Sequence, residues 1–205
     1  MVSSRSLIGL ALLAASLGCA QKPNTPVALY GNCLSCHGVD GRGDQTIGAP
    51  PIAGLPQWYV EAQLHKFKEG HRGYHGDDVN GLKMRPMLLS LADEDELKKV
   101  SEYVSQLPPV EVAGTLADAD PKAGQGRYAL CAACHGTDGK GNEAVKGPPL
   151  NGSSDWYLMT QLKNFKSGVR GGHKDDTTGM TMRAVMGTLP DEQAMKDVVA
   201  YIQTL

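Results

Sequence analysis

Two short segments concentrate the reactive side chains of this chain, Cys33-Leu34-Ser35-Cys36-His37 and Cys131-Ala132-Ala133-Cys134-His135. In each, two thiols three residues apart share one helical turn, and a histidine follows the second. Cys-x-x-Cys-His is the attachment pattern of c-type haem: two thioethers form to one porphyrin, and the adjacent imidazole is placed to ligate iron. Cys33, Cys36, Cys131 and Cys134 are therefore the expected covalent anchors, with His37 and His135 as proximal ligands. A zinc site would want its two pairs about 15 to 20 residues apart, whereas these lie almost a full domain apart. The fifth cysteine, Cys19, stands alone near the N-terminus. None is left for a disulfide, and domains below roughly 80 residues seldom close a core without some staple.

The elements that position these residues come as a repeat. Sliding the sequence by 98 residues aligns 30–107 with 128–205 without a gap, at 33 identities in 78 positions, so the halves share one fold. The expected organisation is two all-α domains, 26–107 and 121–205, joined by a Pro- and Gly-rich linker over 108–120 that starts Pro-Pro and can lie extended against either domain. Three helices are predicted per half. The first begins near Pro26 or Pro121 and carries the Cys-x-x-Cys-His motif at its end. The second covers about 57–68 and 155–166. The third, 93–107, presents Leu97, Val100, Val104 and Leu107 on one face, repeated by Met195, Val198, Ile202 and Leu205. Pro190 is expected at the first turn of the last helix, and Met84 in a loop before the third.

A sixth iron ligand decides what such a haem does. The first half offers Met84, Met87, His65, His71 and His75. Met87 aligns with Val185, His65 with Lys163 and His71 with Val169, so none of these serves both halves. Two pairs survive, Met84 with Met182 and His75 with His173. A thioether is soft, favours ferrous iron and raises the reduction potential, whereas a second imidazole lowers it; chemistry favours the Met pair, and loop residues in a Gly- and Asp-rich stretch remain the plain reading of the His pair. Met180 and Met186 align with leucines and read as packing. Pro50 and Pro148, thirteen residues after the proximal histidines, are expected to offer carbonyls to the imidazole Nδ1–H, the alternative being a rigid turn. Trp58, Trp156, Arg72 and Arg170 are the expected donors to haem propionates, because buried anions need partners; a structural role is the alternative for the Trp pair.

The motifs Cys33-Leu34-Ser35-Cys36-His37-Gly38, Pro50-Pro51-Ile52-Ala53-Gly54, Met84 and Leu91-Ala92-Asp93-Glu94-Asp95, with their second copies, resemble class I cytochromes c. Their tandem arrangement is similar to the two-domain, di-haem cytochrome c4 family of bacteria. That resemblance implies two haem c (iron) held by His37 with Met84 and His135 with Met182, and an electron-transfer protein rather than an enzyme. It also implies packing about a pseudo-twofold axis, and transfer in the periplasm from a quinol-oxidising complex to a terminal oxidase or reductase. The same architecture also serves as the electron-accepting subunit of larger dehydrogenases; a di-haem peroxidase or thiosulfate-oxidising enzyme is the less favoured alternative. Ala92 and Pro190 depart from the resemblance, standing where a Ser commonly caps the last helix.

The rest of the composition narrows the class. A formal charge of −2 and no basic cluster exclude a nucleic-acid binder. Residues 30–107 carry 8 Lys/Arg and 11 Asp/Glu, and 128–205 carry 8 and 8; the halves are expected to face different partners, with the acidic run Asp93–Glu96 as one docking patch. Arg5, the apolar run 7–17 and the small residues Gly18, Cys19 and Ala20 have the layout of a secretory signal over 1–20, too short to span a bilayer. Cleavage after Ala20 discards Cys19; cleavage before Cys19 leaves it to carry a lipid anchor.

Overall fold

Apolar stripes at helical spacing, punctuated by capping aspartates and glycines, give an almost wholly helical chain. The structure, a computed structural model, describes residues 24–205; the expected leader and Cys19 lie outside the described residues. Among those described, the first half has five α-helices and the second four, because one helix of the second half runs continuously where the first half has two. The first half has α1 (Pro26–Tyr30), α2 (Leu34–His37), α3 (Gln57–Lys68), α4 (Val79–Met87) and α5 (Glu94–Gln106); the second has α6 (Pro121–His135), α7 (Asp155–Ser167), α8 (Thr177–Val185) and α9 (Glu192–Ile202). Short 3-10 turns follow the motif and precede α5 and α9. The extended pairings are two isolated bridges, Asp44 with Ala49 and Asn142 with Gly147.

Each half encloses its own core. Leu29, Tyr30, Val60, Leu64, Phe67, Leu97, Val100 and Val104 form the first, with α5 packed across α1 and α3. Tyr128, Leu158, Phe165, Met195, Val198, Val199 and Ile202 form the second, with α9 packed along α6. No helix of the described residues is long and apolar enough to cross a membrane.

Four expectations change. Met84 and Met182 sit on α4 and α8 rather than in loops. Pro86 inside α4, and the Thr-Thr-Gly start of α8, hide these helices from propensity; Asp78 and Asp176 nucleate them by capping Gly81 N–H and Gly179 N–H at 3.1 and 3.0 Å. Pro190 lies before the last helix, whose N-cap is Asp191, accepting from Ala194 N–H at 2.8 Å; Asp93 does the same for Glu96 N–H at 2.9 Å. Aspartate thus fills the role that the departures at Ala92 and Pro190 left open. The run Asp93–Glu96 is also engaged internally. Asp93 caps, Glu96 accepts from Ala92 N–H at 2.7 Å, Glu94 faces His65 at 3.1 Å, and Asp95 pairs with Lys99 at 2.5 Å. Finally, Met186 is buried as expected, but Met180 is 41% exposed.

The linker lies against the second domain. Asp155, 1% exposed at the start of α7, accepts hydrogen bonds from Thr115 N–H, Leu116 N–H (2.7 Å) and the Thr115 hydroxyl (2.9 Å). Asp197 accepts from Asp120 N–H at 3.0 Å.

Candidate haem sites

Both Cys-x-x-Cys-His segments end a helix that a glycine stops. Gly38 and Gly136, at φ 76° and 80°, turn the chain out of α2 and α6. Their carbonyls accept from the hydroxyls of Tyr30 (2.8 Å) and Tyr128 (2.7 Å), whose rings are buried in the two cores. Burial pushes both phenols up, Tyr128 to about 12, so they remain neutral donors. Each ring meets a tyrosine of the C-terminal helix, Tyr103 at 5.0 Å and Tyr201 at 5.3 Å. The motif is thereby pinned to the helix that forms the back of the core.

The proximal imidazoles are fixed by the loop that follows. His37 Nδ1 lies 2.9 Å from the Pro50 carbonyl, and His135 Nδ1 lies 2.7 Å from that of Pro148. A carbonyl only accepts, so Nδ1 carries the proton and Nε2 presents its lone pair. Burial pulls both imidazoles below the usual histidine range, against the opposing pull of the Pro carbonyls, so the rings are neutral. Close backbone approach makes the contact possible. Gly43 N–H donates to His37 O at 3.0 Å, and a Cβ on Gly43 would lie 2.3 Å from Ala49 O and 2.6 Å from Pro50 O. At φ 74° that position excludes other residues twice over. Gly141 repeats it against Gly147 and Pro148. This glycine pair aligns in the repeat, and its constraint passed unnoticed because a glycine's meaning shows only when its neighbour is known.

None of the four thiols is paired in a disulfide. Burial, then the neighbouring Cys36, pushes Cys33 up to about 11, and burial raises Cys131. Met84 and Met182 pack against the same cores as Cys33 and Cys131. The histidines lie elsewhere: His65 faces Glu94, His71 faces Glu69 at 3.3 Å, and His75 and His173 sit in matching turns 3.7 and 3.8 Å from Asp77 and Asp175.

Arg72 and Arg170 are buried between the domains. Arg72 donates to Gln63 (2.9 Å) and, across the boundary, to the Tyr157 hydroxyl (2.8 Å); Arg170 donates to Gln161 (2.7 Å) and, across the boundary, to Gln63 (2.9 Å). Their guanidiniums stack over Phe67 and Phe165 at 4.5 and 4.6 Å. Lys66 joins them, reaching Asp176 at 2.5 Å; burial and the two guanidiniums pull the Lys66 ammonium down, against Asp176. Trp58 of the first domain lies under Lys146 of the second at 5.6 Å, and Trp156 packs edge-on to Tyr157 at 5.9 Å. That Arg72 and Arg170 each cross to the opposite domain was not foreseen, although both align in the repeat.

The cytochrome c family model matches residues 27–108 and again 121–205. The chain belongs to the cytochrome c family. It is 31% identical to a cytochrome c-552 of Acidithiobacillus ferridurans over 202 residues, covering 93% of this chain and 80% of the relative. It is 33% identical over 164 residues to a thiosulfate dehydrogenase electron acceptor of Stutzerimonas stutzeri, covering 75% and 71%. Among solved structures it is similar to the cytochrome c4 of Acidithiobacillus ferrooxidans, with a TM-score of 0.70 at 26% identity, covering 86% of this chain and 99% of that one. The chain is thus an all-α, di-haem c-type cytochrome and electron carrier with two haem c groups.

The residues present fit that cofactor. Each half offers two free thiols on one turn beside a neutral imidazole whose Nε2 is available. Between the domains, Arg72 Nε is buried without a hydrogen-bond partner among the described residues, and two guanidiniums share a buried region with one ion-paired carboxylate, Asp176. Such a cluster calls for anions, which propionates supply.

Proposed function

We propose that the chain works in the periplasm as an outer-sphere electron shuttle, taking electrons from a respiratory donor, such as a quinol-oxidising complex, to a terminal oxidase or reductase. His37 with Met84 and His135 with Met182 are the axial ligands; Cys33, Cys36, Cys131 and Cys134 are the thioether anchors. Arg72 and Arg170, with Trp58 and Trp156, hold the propionate side. Haem supplies the one-electron ferric/ferrous couple.

The protein's own residues make that couple fast and selective. Pro50 and Pro148 lock the imidazole tautomer and orientation, so that the ligand does not move between oxidation states. Met84 and Met182, carried on short helices packed against the cores, would hold the iron as soft thioether ligands and raise its potential. With both faces filled no substrate reaches iron, which makes the chain a carrier and not an enzyme. One observation carries the reading: a neutral, carbonyl-tied imidazole and a core-seated methionine recur in both halves.

A second reading, favoured by the likeness to the Stutzerimonas stutzeri acceptor, makes the electron source a dehydrogenase acting on a reduced sulfur compound. Stopped-flow mixing of the oxidised protein with a quinol-oxidising complex or with a thiosulfate dehydrogenase separates the two. The shuttle reading predicts rapid reduction by the first and reoxidation by a terminal oxidase. Reduction by the dehydrogenase alone would transfer the role to the second reading, and reduction by neither would sink both.

A further inference from the structure

The boundary between the domains holds a group of donors that the haem chemistry does not use. His71 comes from the turn after α3 in the first domain, and His173 and Asp175 from the corresponding turn after α7 in the second. One ligand atom from each of the three lies within 4.8 Å of the others. The two imidazoles stack across the boundary at 4.8 Å with 27° between their planes, and Tyr74 packs edge-on to His173 at 5.3 Å. Close approach holds the turns together: a Cβ on Gly172 would lie 2.6 Å from the Tyr74 hydroxyl.

We propose that His71, His173 and Asp175 form a binding site for a divalent transition-metal ion that joins the two domains. Two imidazoles and a carboxylate suit borderline ions such as Zn²⁺ or Cu²⁺ and not the hard ions Mg²⁺ or Ca²⁺, which prefer all-oxygen shells. With metal–donor bonds near 2.0–2.1 Å, tetrahedral donors stand roughly 3.3 Å apart. The three groups therefore close in by about 1.5 Å, within reach of rotating side chains that are 21%, 28% and 48% exposed. Glu69, 3.3 Å from His71 Nδ1, is placed to orient that ring or to add a fourth donor. Lys174, 84% exposed, pairs with Asp175 at 2.7 Å and yields to the ion.

The repeat supplies an internal control. The same positions in the other copy of the repeat are Val169, His75 and Asp77. Val169 cannot ligate, so the full donor set occurs once among the described residues.

The test is calorimetric titration of zinc chloride into the chelator-treated, full-length di-haem protein. Saturation at one ion per chain is expected. His71→Val, which installs the residue the second half already carries, and His173→Ala should each weaken binding by about tenfold or more, because loss of even outer-shell partners costs 10–100-fold. His75→Ala should leave binding unchanged. An unaltered haem spectrum certifies that each variant folds, and zinc should raise the unfolding temperature of the parent but not of His71→Val. Absence of saturable binding, binding unaffected by His71→Val, or equal loss in His75→Ala would each overturn the site.

Discussion

At the scale of single residues, the haem sites rest on a division of labour between proline, glycine and methionine. Gly43 and Gly141 let the loop backbone come close enough for the Pro50 and Pro148 carbonyls to accept the imidazole Nδ1–H hydrogen bond. In the proposed ligation the methionines then set the potential. Replacing Met84 with His should lower the potential of one haem by about 0.1 V or more, a modest part of the roughly 0.8 V that axial ligands span, and leave the other unchanged. Potentiometric titration followed in the visible spectrum reads both; an unmoved potential would remove Met84 from the iron. The two Cys-x-x-Cys-His segments and the imidazole contacts to Pro50 and Pro148 were legible in the sequence because their spacing carries the chemistry. Within the sequence, only the repeat separates Met84 and His75, which have counterparts in the second half, from Met87, His65 and His71, which do not. His75 and His173 could not be placed from sequence, since a loop histidine has no periodicity; in the structure they occupy turns beside Asp77 and Asp175.

At the scale of elements, aspartates start α4 and α8, which carry the methionines, and α5 and α9, which back the two cores. Asp93→Ala and Asp191→Ala should each cost about 1 kcal/mol, the usual loss for an N-cap, measured by denaturant unfolding of the holoprotein; no change would mean that packing alone sets these helix starts. Asp155 has a larger task, because it fastens the linker to α7. Burial opposes its ionisation, but the hydrogen bonds from Thr115, Leu116 and Trp156 prevail and hold its carboxyl below the usual aspartate range. The folded state thus binds this proton less readily than the unfolded state does. The stabilisation is complete above the unfolded value of about 3.9 and is lost as pH falls through the lower, folded value. Unfolding followed from pH 5 to pH 2 should show an acid loss that Asp155→Asn reduces, at the expense of stability near neutrality. An identical acid profile in that variant would assign the loss elsewhere. Helices α3, α5, α7 and α9 could be read from their apolar faces, whereas α4 and α8 could not. They are nine residues each, contain Gly81 with Pro86 or Gly179, and owe their start to Asp78 and Asp176 rather than to an apolar stripe.

At the scale of the whole molecule, two similar domains meet through a reciprocal polar contact. Arg72 and Arg170 each bond across the boundary, and the Lys66–Asp176 pair breaks the symmetry, since Asn164 stands opposite Lys66 in the repeat. Lys66→Ala leaves Asp176 buried without its cation and should weaken docking by about 2–5 kcal/mol. Small-angle scattering should then report a more extended particle; an unchanged profile would show that the arginine contacts suffice. No sequence pattern announces such a contact, because its partners lie about a hundred residues apart and none is apolar. The repeat hinted at it only through the alignment of Arg72 with Arg170.

The central claim is that both irons are closed by methionine, which makes the molecule a carrier. Exposure of the fully reduced protein to carbon monoxide, followed in the Soret band, tests it most directly. Two closed sites predict a spectrum unchanged at neutral pH. Rapid carbon monoxide binding at either haem would contradict the account and point to an open iron where Met84 or Met182 is assigned.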